Sequence, residues 1–154
     1  MNNTKIFLKN VAVMKKMLDN ANLDNDSVVL EIGSGDGRLT KLIAERAKKV
    51  YAVELDLFLM DIAKEKLSNF NNIEFINQDI LKMDIPDDVN RIISNLPYAI
   101  SSPVTEKIVY FMNKHKNSIA VLMYQKEFAE RVIAFPGLHI YSMISVFVQY
   151  TCEV

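Results

Sequence analysis

Val28-Val29-Leu30-Glu31-Ile32-Gly33-Ser34-Gly35-Asp36-Gly37 is an apolar run that passes without a break into a glycine-rich turn. A run of this kind, interrupted by a single acid, reads as a strand buried on both faces. The glycines let the backbone turn sharply and come close to a ligand at the start of the next helix. Working outward, the alternation continues. Residues 11–21 read as an opening helix with Val13, Met14, Met17 and Leu18 on one face. Beyond the turn the pattern predicts a helix over 39–47, a strand over 50–53, a helix over 57–70, and strands over 73–76 and 91–94. A further helix is predicted to begin near Ser102, placed to cap it, with Pro103 at its first position. A strand over 119–123, a helix over 127–134 and a final strand over 144–150 complete the pattern. Continuous apolar strands separated by helices predict a parallel sheet covered on both faces, an α/β fold of three layers.

At 154 residues and 50% hydrophobic, with no linker, repeat or low-complexity stretch, the chain reads as one domain over 1–154 with a core large enough to fold alone. Cys152 is the single cysteine, which excludes a disulfide framework and a Cys-rich metal site and fits a reducing, cytoplasmic setting. Lys5 and Lys9 precede no apolar run with a cleavage site, so no signal peptide is predicted, and no segment reads as a membrane span. The net charge is -1. That balance is unusual for a domain that holds RNA unaided, because phosphate neutralisation supplies much of such affinity.

The residues after the predicted strands narrow the ligand. A dinucleotide fingerprint requires glycine where this chain has Arg38. Glu31, ahead of the glycines, suits a cationic ligand with an amino group better than a diphosphate. Glu54 closes the second strand, where an acid takes both hydroxyls of a ribose. Asp79, in Asn77-Gln78-Asp79, is placed to accept from an adenine amino group. Taken alone, each carboxylate reads as a solvated loop charge. Their order at successive strand ends points to S-adenosyl-L-methionine.

Asn95-Leu96-Pro97-Tyr98 follows the fourth strand. The Asn95 amide oxygen and the Leu96 carbonyl suit the two N–H groups of the amine on adenine, and would draw its nitrogen towards tetrahedral geometry. Pro97 stiffens the turn and removes a competing donor. Tyr98 offers a stacking face to the base. In isolation the tetrapeptide also fits a plain strand-to-helix turn, since Asn and Pro are ordinary turn residues.

Together, Val29 to Gly37, Val53-Glu54-Leu55-Asp56, Gln78-Asp79 and above all Asn95-Leu96-Pro97-Tyr98-Ala99-Ile100-Ser101-Ser102-Pro103 resemble the ribosomal RNA adenine dimethyltransferases. The run from Val121 to Arg131 and the later Tyr141, Ser145 and Gln149 extend the likeness, closest to the archaeal and eukaryotic branch. The glycine turn is common to many methyltransferases, whereas the Asn-Leu-Pro-Tyr run is specific. The resemblance implies a Rossmann-like class I methyltransferase sheet and dimethylation of adjacent adenines in small-subunit ribosomal RNA. It implies cofactor contacts from Phe7, Leu8, Glu31, Gly33, Gly35, Glu54, Leu55, Asp79, Ile80 and Asn95, and catalysis by Asn95, Leu96, Pro97 and Tyr98. Structured RNA is the implied partner, and no metal is required.

The chain departs from that pattern at both ends. Thr4-Lys5-Ile6-Phe7-Leu8 keeps only the Phe-Leu of a segment that in the family folds over the cofactor. The family's last strand and helical C-terminal domain are expected to be missing after Val154, which leaves open a fragment, a split enzyme or a reduced protein. A binding module, either a cofactor-binding subunit or a ribosome-assembly factor, is therefore the alternative to an enzyme. The predicted strand over 144–150 is expected to pair with 119–123 or with a second chain, including another copy of this one. His115 and His139 lack partner spacing for a metal and read as loop histidines, and Lys15-Lys16 and Lys48-Lys49 as solvated helix ends.

Overall fold

The computed structural model describes residues 10–154. In chain order the elements are α1 (Val11–Asn20), β1 (Val28–Ile32), α2 (Arg38–Ala44), β2 (Lys49–Val53), α3 (Leu57–Lys66), β3 (Ile73–Ile76), β4 (Arg91–Asn95), α4 (Ser101–Lys114), β5 (Ile119–Met123), α5 (Lys126–Val132) and α6 (Met143–Thr151). The strands form one parallel, five-stranded sheet in the order β3-β2-β1-β4-β5. The fold class predicted from the residue pattern is the one observed.

Side chains alternate across each strand, so each contributes to two cores. Leu30, Ile32, Tyr51, Val53 and Ile92 pack with Val104, Ile108 and Phe111 of α4. Val29, Val50 and Ile93 pack on the opposite face with Met14, Met17 and Leu18 of α1 and Leu39 and Ile43 of α2. Glu31 has the parity of Val29, so its carboxylate is aimed at the α2 side. Register places the strand ends in a row: Ile32 lies beside Val53 and Ser94, and Val53 beside Ile76. Everything that follows those residues therefore emerges along one rim.

Helix boundaries are tighter than the periodicity predicts. α2 stops at Ala44, and Asn72 Nδ2 satisfies the carbonyls of Ala44 and Ala47, at 2.9 Å each. α4 starts at Ser101 after a short 3-10 helix over Tyr98–Ile100, so Ser102 lies inside the helix and does not cap it, and Pro103 is its third residue. A proline is tolerated there because first-turn N–H groups have no intrahelical acceptor.

The expected strand over 144–150 is overturned. Those residues lie in α6, where Ile144, Ser145 and Val148 are buried. Ile144 and Val148 join Val109 of α4 and Phe128 and Val132 of α5 in a third apolar cluster. Ser145 Oγ accepts the Ser142 N–H at 3.0 Å and donates to the Arg131 carbonyl, while Gln149 Nε2 donates to the Val132 and Ala134 carbonyls at 2.8 and 2.9 Å. Ser145 and Gln149 thus satisfy carbonyls at the end of α5 from one face of a helix. Packing outweighs the β propensity of Ile-Ser-Val-Phe-Val, and the expected pairing of this segment with a strand loses its basis.

Gly37 has φ +84, and a Cβ there would lie 2.9 Å from Leu67 Cδ1 and 3.0 Å from Ala63 Cβ of α3. Gly37→Ala is expected to destabilise the domain by about 1–2 kcal/mol from the left-handed backbone alone. Denaturant unfolding measures it; an unchanged midpoint would show that the turn relaxes out of the left-handed backbone at no cost.

Candidate active site

The row of strand ends opens into a cavity of about 880 Å³ bounded by the β1–α2 turn, the ends of β2 and β3, the β4–α4 turn and the end of β5. It lies where the strand order reverses between β1 and β4, the place where open parallel sheets bind ligands. Of the sequence-predicted positions, Glu31, Gly33, Gly35, Glu54, Leu55, Asp79, Ile80, Asn95, Leu96, Pro97 and Tyr98 all line it. Phe7 and Leu8 lie outside the described residues.

The glycine turn is pinned to β2 by Gly33 and Ser34 N–H donating to the Val53 carbonyl at 2.8 and 3.1 Å. Gly33 has φ +76, and a Cβ built on it meets no atom within 4 Å. Glu54 is buried and its carboxylate ties two loops together, Oε2 accepting the Gly35 N–H of the glycine turn at 3.0 Å and Oε1 the Asp56 N–H of its own loop at 2.9 Å. Asn77 donates from Nδ2 to the Glu54 and Leu55 carbonyls at 2.8 and 3.1 Å, holding the β2 exit against the β3 exit. Its role as a brace was not legible from the sequence, because the partners are main-chain atoms more than twenty positions away. Asp79 is half-exposed and holds its own turn through Leu81 N–H to Oδ1 at 3.0 Å. Asp36, at the rim, is neutralised by Arg38 at 2.9 Å and Lys66 at 3.1 Å.

Glu31 is the unusual member. It is 1% exposed, and among the described residues its Oε2 is buried with no hydrogen-bond partner. Burial pushes its pKa up to about 8, the Thr40 hydroxyl working against the shift and the Glu54 charge adding to it. A buried acceptor left unsatisfied costs stability, and a ligand ammonium would complete it. The groups present therefore fit a ligand carrying a cationic amine and a vicinal diol.

The raised pKa has a stability consequence. Between the ordinary carboxyl value of 4.5 and about 8, the unfolded chain is ionised while folded Glu31 keeps its proton. The unfolded state binds fewer protons there, so the contribution of Glu31 to stability is fully present below pH 4.5 and is lost as pH rises to about 8. Water entering the cavity relaxes the burial, and a fall of about 1–2 kcal/mol is expected relative to Glu31→Gln, which has no such titration. Unfolding both proteins at pH 5, 6.5 and 8 checks it; parallel curves would show that Glu31 is solvated.

At the β4–α4 turn, Asn95 ends the strand, and the buried Leu96 extends the pairing with β5 through its N–H to the Met123 carbonyl at 3.1 Å. Pro97, with φ -61 and ψ 137, turns the chain outward. Tyr98 follows on the rim with 69% of its surface exposed, available to stack. The turn thus places an amide oxygen, a backbone carbonyl and an aromatic face around one mouth of the cavity.

A family profile described as "Ribosomal RNA adenine dimethylase" matches residues 2–154. The chain is similar to a protein from Methanococcus maripaludis named "Probable ribosomal RNA small subunit methyltransferase A", 46% identical over 149 residues, which cover 96% of this chain and 55% of the relative. Among solved structures it is similar to a dimethyladenosine transferase from Plasmodium falciparum, with a TM-score of 0.84 and 34% identity over 96% of this chain and 54% of that one. It is also similar to the 23S rRNA methyltransferase ErmE, with a TM-score of 0.72 and 33% identity over 82% of this chain and 50% of that one. The chain spans about half the length of the relatives it matches. With a profile that covers nearly its whole length, a class I methyltransferase sheet and the Asn95 turn at the cavity mouth, the chain belongs to the ribosomal RNA adenine dimethylase family.

Proposed function

We propose that this domain binds S-adenosyl-L-methionine and transfers its methyl group to the exocyclic amine of adenine in small-subunit ribosomal RNA, dimethylating adjacent adenines. The observation that carries the reading is the juxtaposition of the Asn95-Leu96-Pro97-Tyr98 turn with the Glu31, Glu54 and Asp79 rim around one cavity. The names of the relatives, all ribosomal RNA methyltransferases or a dimethyladenosine transferase, support it.

The cofactor supplies a sulfonium methyl already activated for in-line displacement, with the S–C bond breaking as N–C forms. Glu31 and the glycine turn hold the amino-acid end, Glu54 the ribose hydroxyls and Asp79 the adenine amine. Asn95 Oδ1 and the Leu96 carbonyl accept the N–H groups of the target amine and turn its lone pair out of conjugation. Tyr98 stacks on the target base. Orientation and exclusion of water carry most of the acceleration, about 7–11 kcal/mol of barrier in favourable cases. The methylated nitrogen is an acidic ammonium that sheds its proton to solvent, so no strong base is required. A second transfer needs room for a methyl already on the nitrogen.

Among the described residues no helix is long and apolar enough to cross a membrane. The reading places the protein with pre-ribosomal RNA in the cytoplasm. Incubation with methyl-labelled S-adenosyl-L-methionine and immature small ribosomal subunits tests it, label on adjacent adenines being the expected result. Cofactor binding with no label on any RNA would leave the binding-module alternative, and absence of cofactor binding would overturn both.

A further inference from the structure

The turn that carries Asn95 and Tyr98 is gripped at both ends by two consecutive residues of the β5 exit. At its start, Leu96 N–H donates to the Met123 carbonyl at 3.1 Å. At its finish stands a chain of hydroxyls. Thr105 Oγ1 lies 2.6 Å from the Ser101 carbonyl and 2.6 Å from Tyr124 Oη, and Ser101 Oγ lies 3.2 Å from the Pro97 carbonyl. Carbonyls only accept, so Thr105 spends its single proton on Ser101, and Ser101 spends its own on Pro97. Tyr124 is left as the donor to Thr105. The order of protons is therefore determined: Tyr124 to Thr105, Thr105 to the Ser101 carbonyl, and Ser101 hydroxyl to the Pro97 carbonyl.

We infer that Tyr124, Thr105 and Ser101 are positioning residues for methyl transfer, a relay joined through the Ser101 backbone in which Tyr124 and Thr105 brace the Ser101 carbonyl and the Ser101 hydroxyl braces the Pro97 carbonyl, setting the angle at which Asn95, Leu96 and Tyr98 face the target base. The inference rests on the proposed function of this turn. Ser101 and Thr105 are 2% and 3% exposed, so the inner two members are closed to water, while Tyr124 is half-buried at the cavity. Burial raises the Tyr124 pKa above the ordinary phenol, which keeps the donor proton in place. The ring itself is anchored separately, against Phe128 with centroids 4.9 Å apart. Removing only the hydroxyl therefore tests the relay without emptying the core.

Tyr124→Phe, Thr105→Val, Thr105→Ser and the Tyr124→Phe/Thr105→Val pair make the test. The expected result is a kcat about three- to ten-fold lower in Tyr124→Phe and Thr105→Val, with cofactor affinity within two-fold of the parent and Thr105→Ser near the parent rate. The double variant should lose no more than the larger single loss, because both substitutions cut one chain. Multiplying losses, or a Thr105→Ser as slow as Thr105→Val, would overturn the inference. Amide exchange supplies a readout independent of catalysis. Ile100 N–H also donates to the Pro97 carbonyl, at 3.2 Å, and should exchange faster in Tyr124→Phe and Thr105→Val. If no RNA is methylated by the parent protein, the proposed function fails; unchanged Ile100 exchange then also overturns the relay, and faster exchange upholds its structural part.

Discussion

Asn95→Ala is expected to lower methyl transfer by roughly 10²–10³, by analogy with the loss of one preorganised hydrogen-bonding group from around a reacting centre. Asn95 ends β4 beside Met123 of β5, so its amide is presented by a ladder and not by a loose loop. Alanine keeps that backbone and deletes the carboxamide. The amine of adenine then keeps its lone pair in the ring, and the barrier rises although both substrates still bind. Cofactor affinity should be nearly unchanged. Parallel measurement of S-adenosyl-L-methionine affinity by calorimetry and of transfer rate on immature small subunits separates the two effects. A variant that binds cofactor poorly would show that the division of the cavity between cofactor and base is wrong.

Glu54→Ala is expected to weaken cofactor binding by about 1.5–3 kcal/mol, the range for hydrogen bonds to a charged group, or roughly ten- to a hundred-fold in Kd. The structure adds a reason beyond the diol itself. The carboxylate also receives the Gly35 and Asp56 N–H groups, so alanine loosens both loops that frame the cavity. Glu54→Gln retains an acceptor for one of those N–H groups and should fall between the parent and alanine. Calorimetry with S-adenosyl-L-methionine decides it: equal affinity in parent and alanine variant removes Glu54 from the site. Circular dichroism should report the same sheet in all three.

The sequence by itself determined the alternation of strands and helices, the strand limits of β1, β3 and β5, and the identity of the residues at the rim. Those properties are local, because apolar period and glycine turns are read within a short window, and each acid is placed by the end of its own strand. The Asn95 turn was legible for the same reason: four adjacent residues carry its chemistry. Only the tertiary structure decided the state of residues 144–150, because Ile144, Val146 and Val148 satisfy a strand period while Ile144 and Val148 also satisfy a helical one. The apolar face offered by Val109, Phe128 and Val132, together with the α5 carbonyls that Ser145 and Gln149 satisfy, selects the helix. Only the tertiary structure, likewise, showed that Glu31 is buried without a partner for Oε2 and that Tyr124 reaches Thr105 across 19 positions. Burial and hydrogen-bond partners depend on which elements the sheet brings together, and the parallel crossover from β4 through α4 to β5 makes neighbours of groups that no sequence window contains.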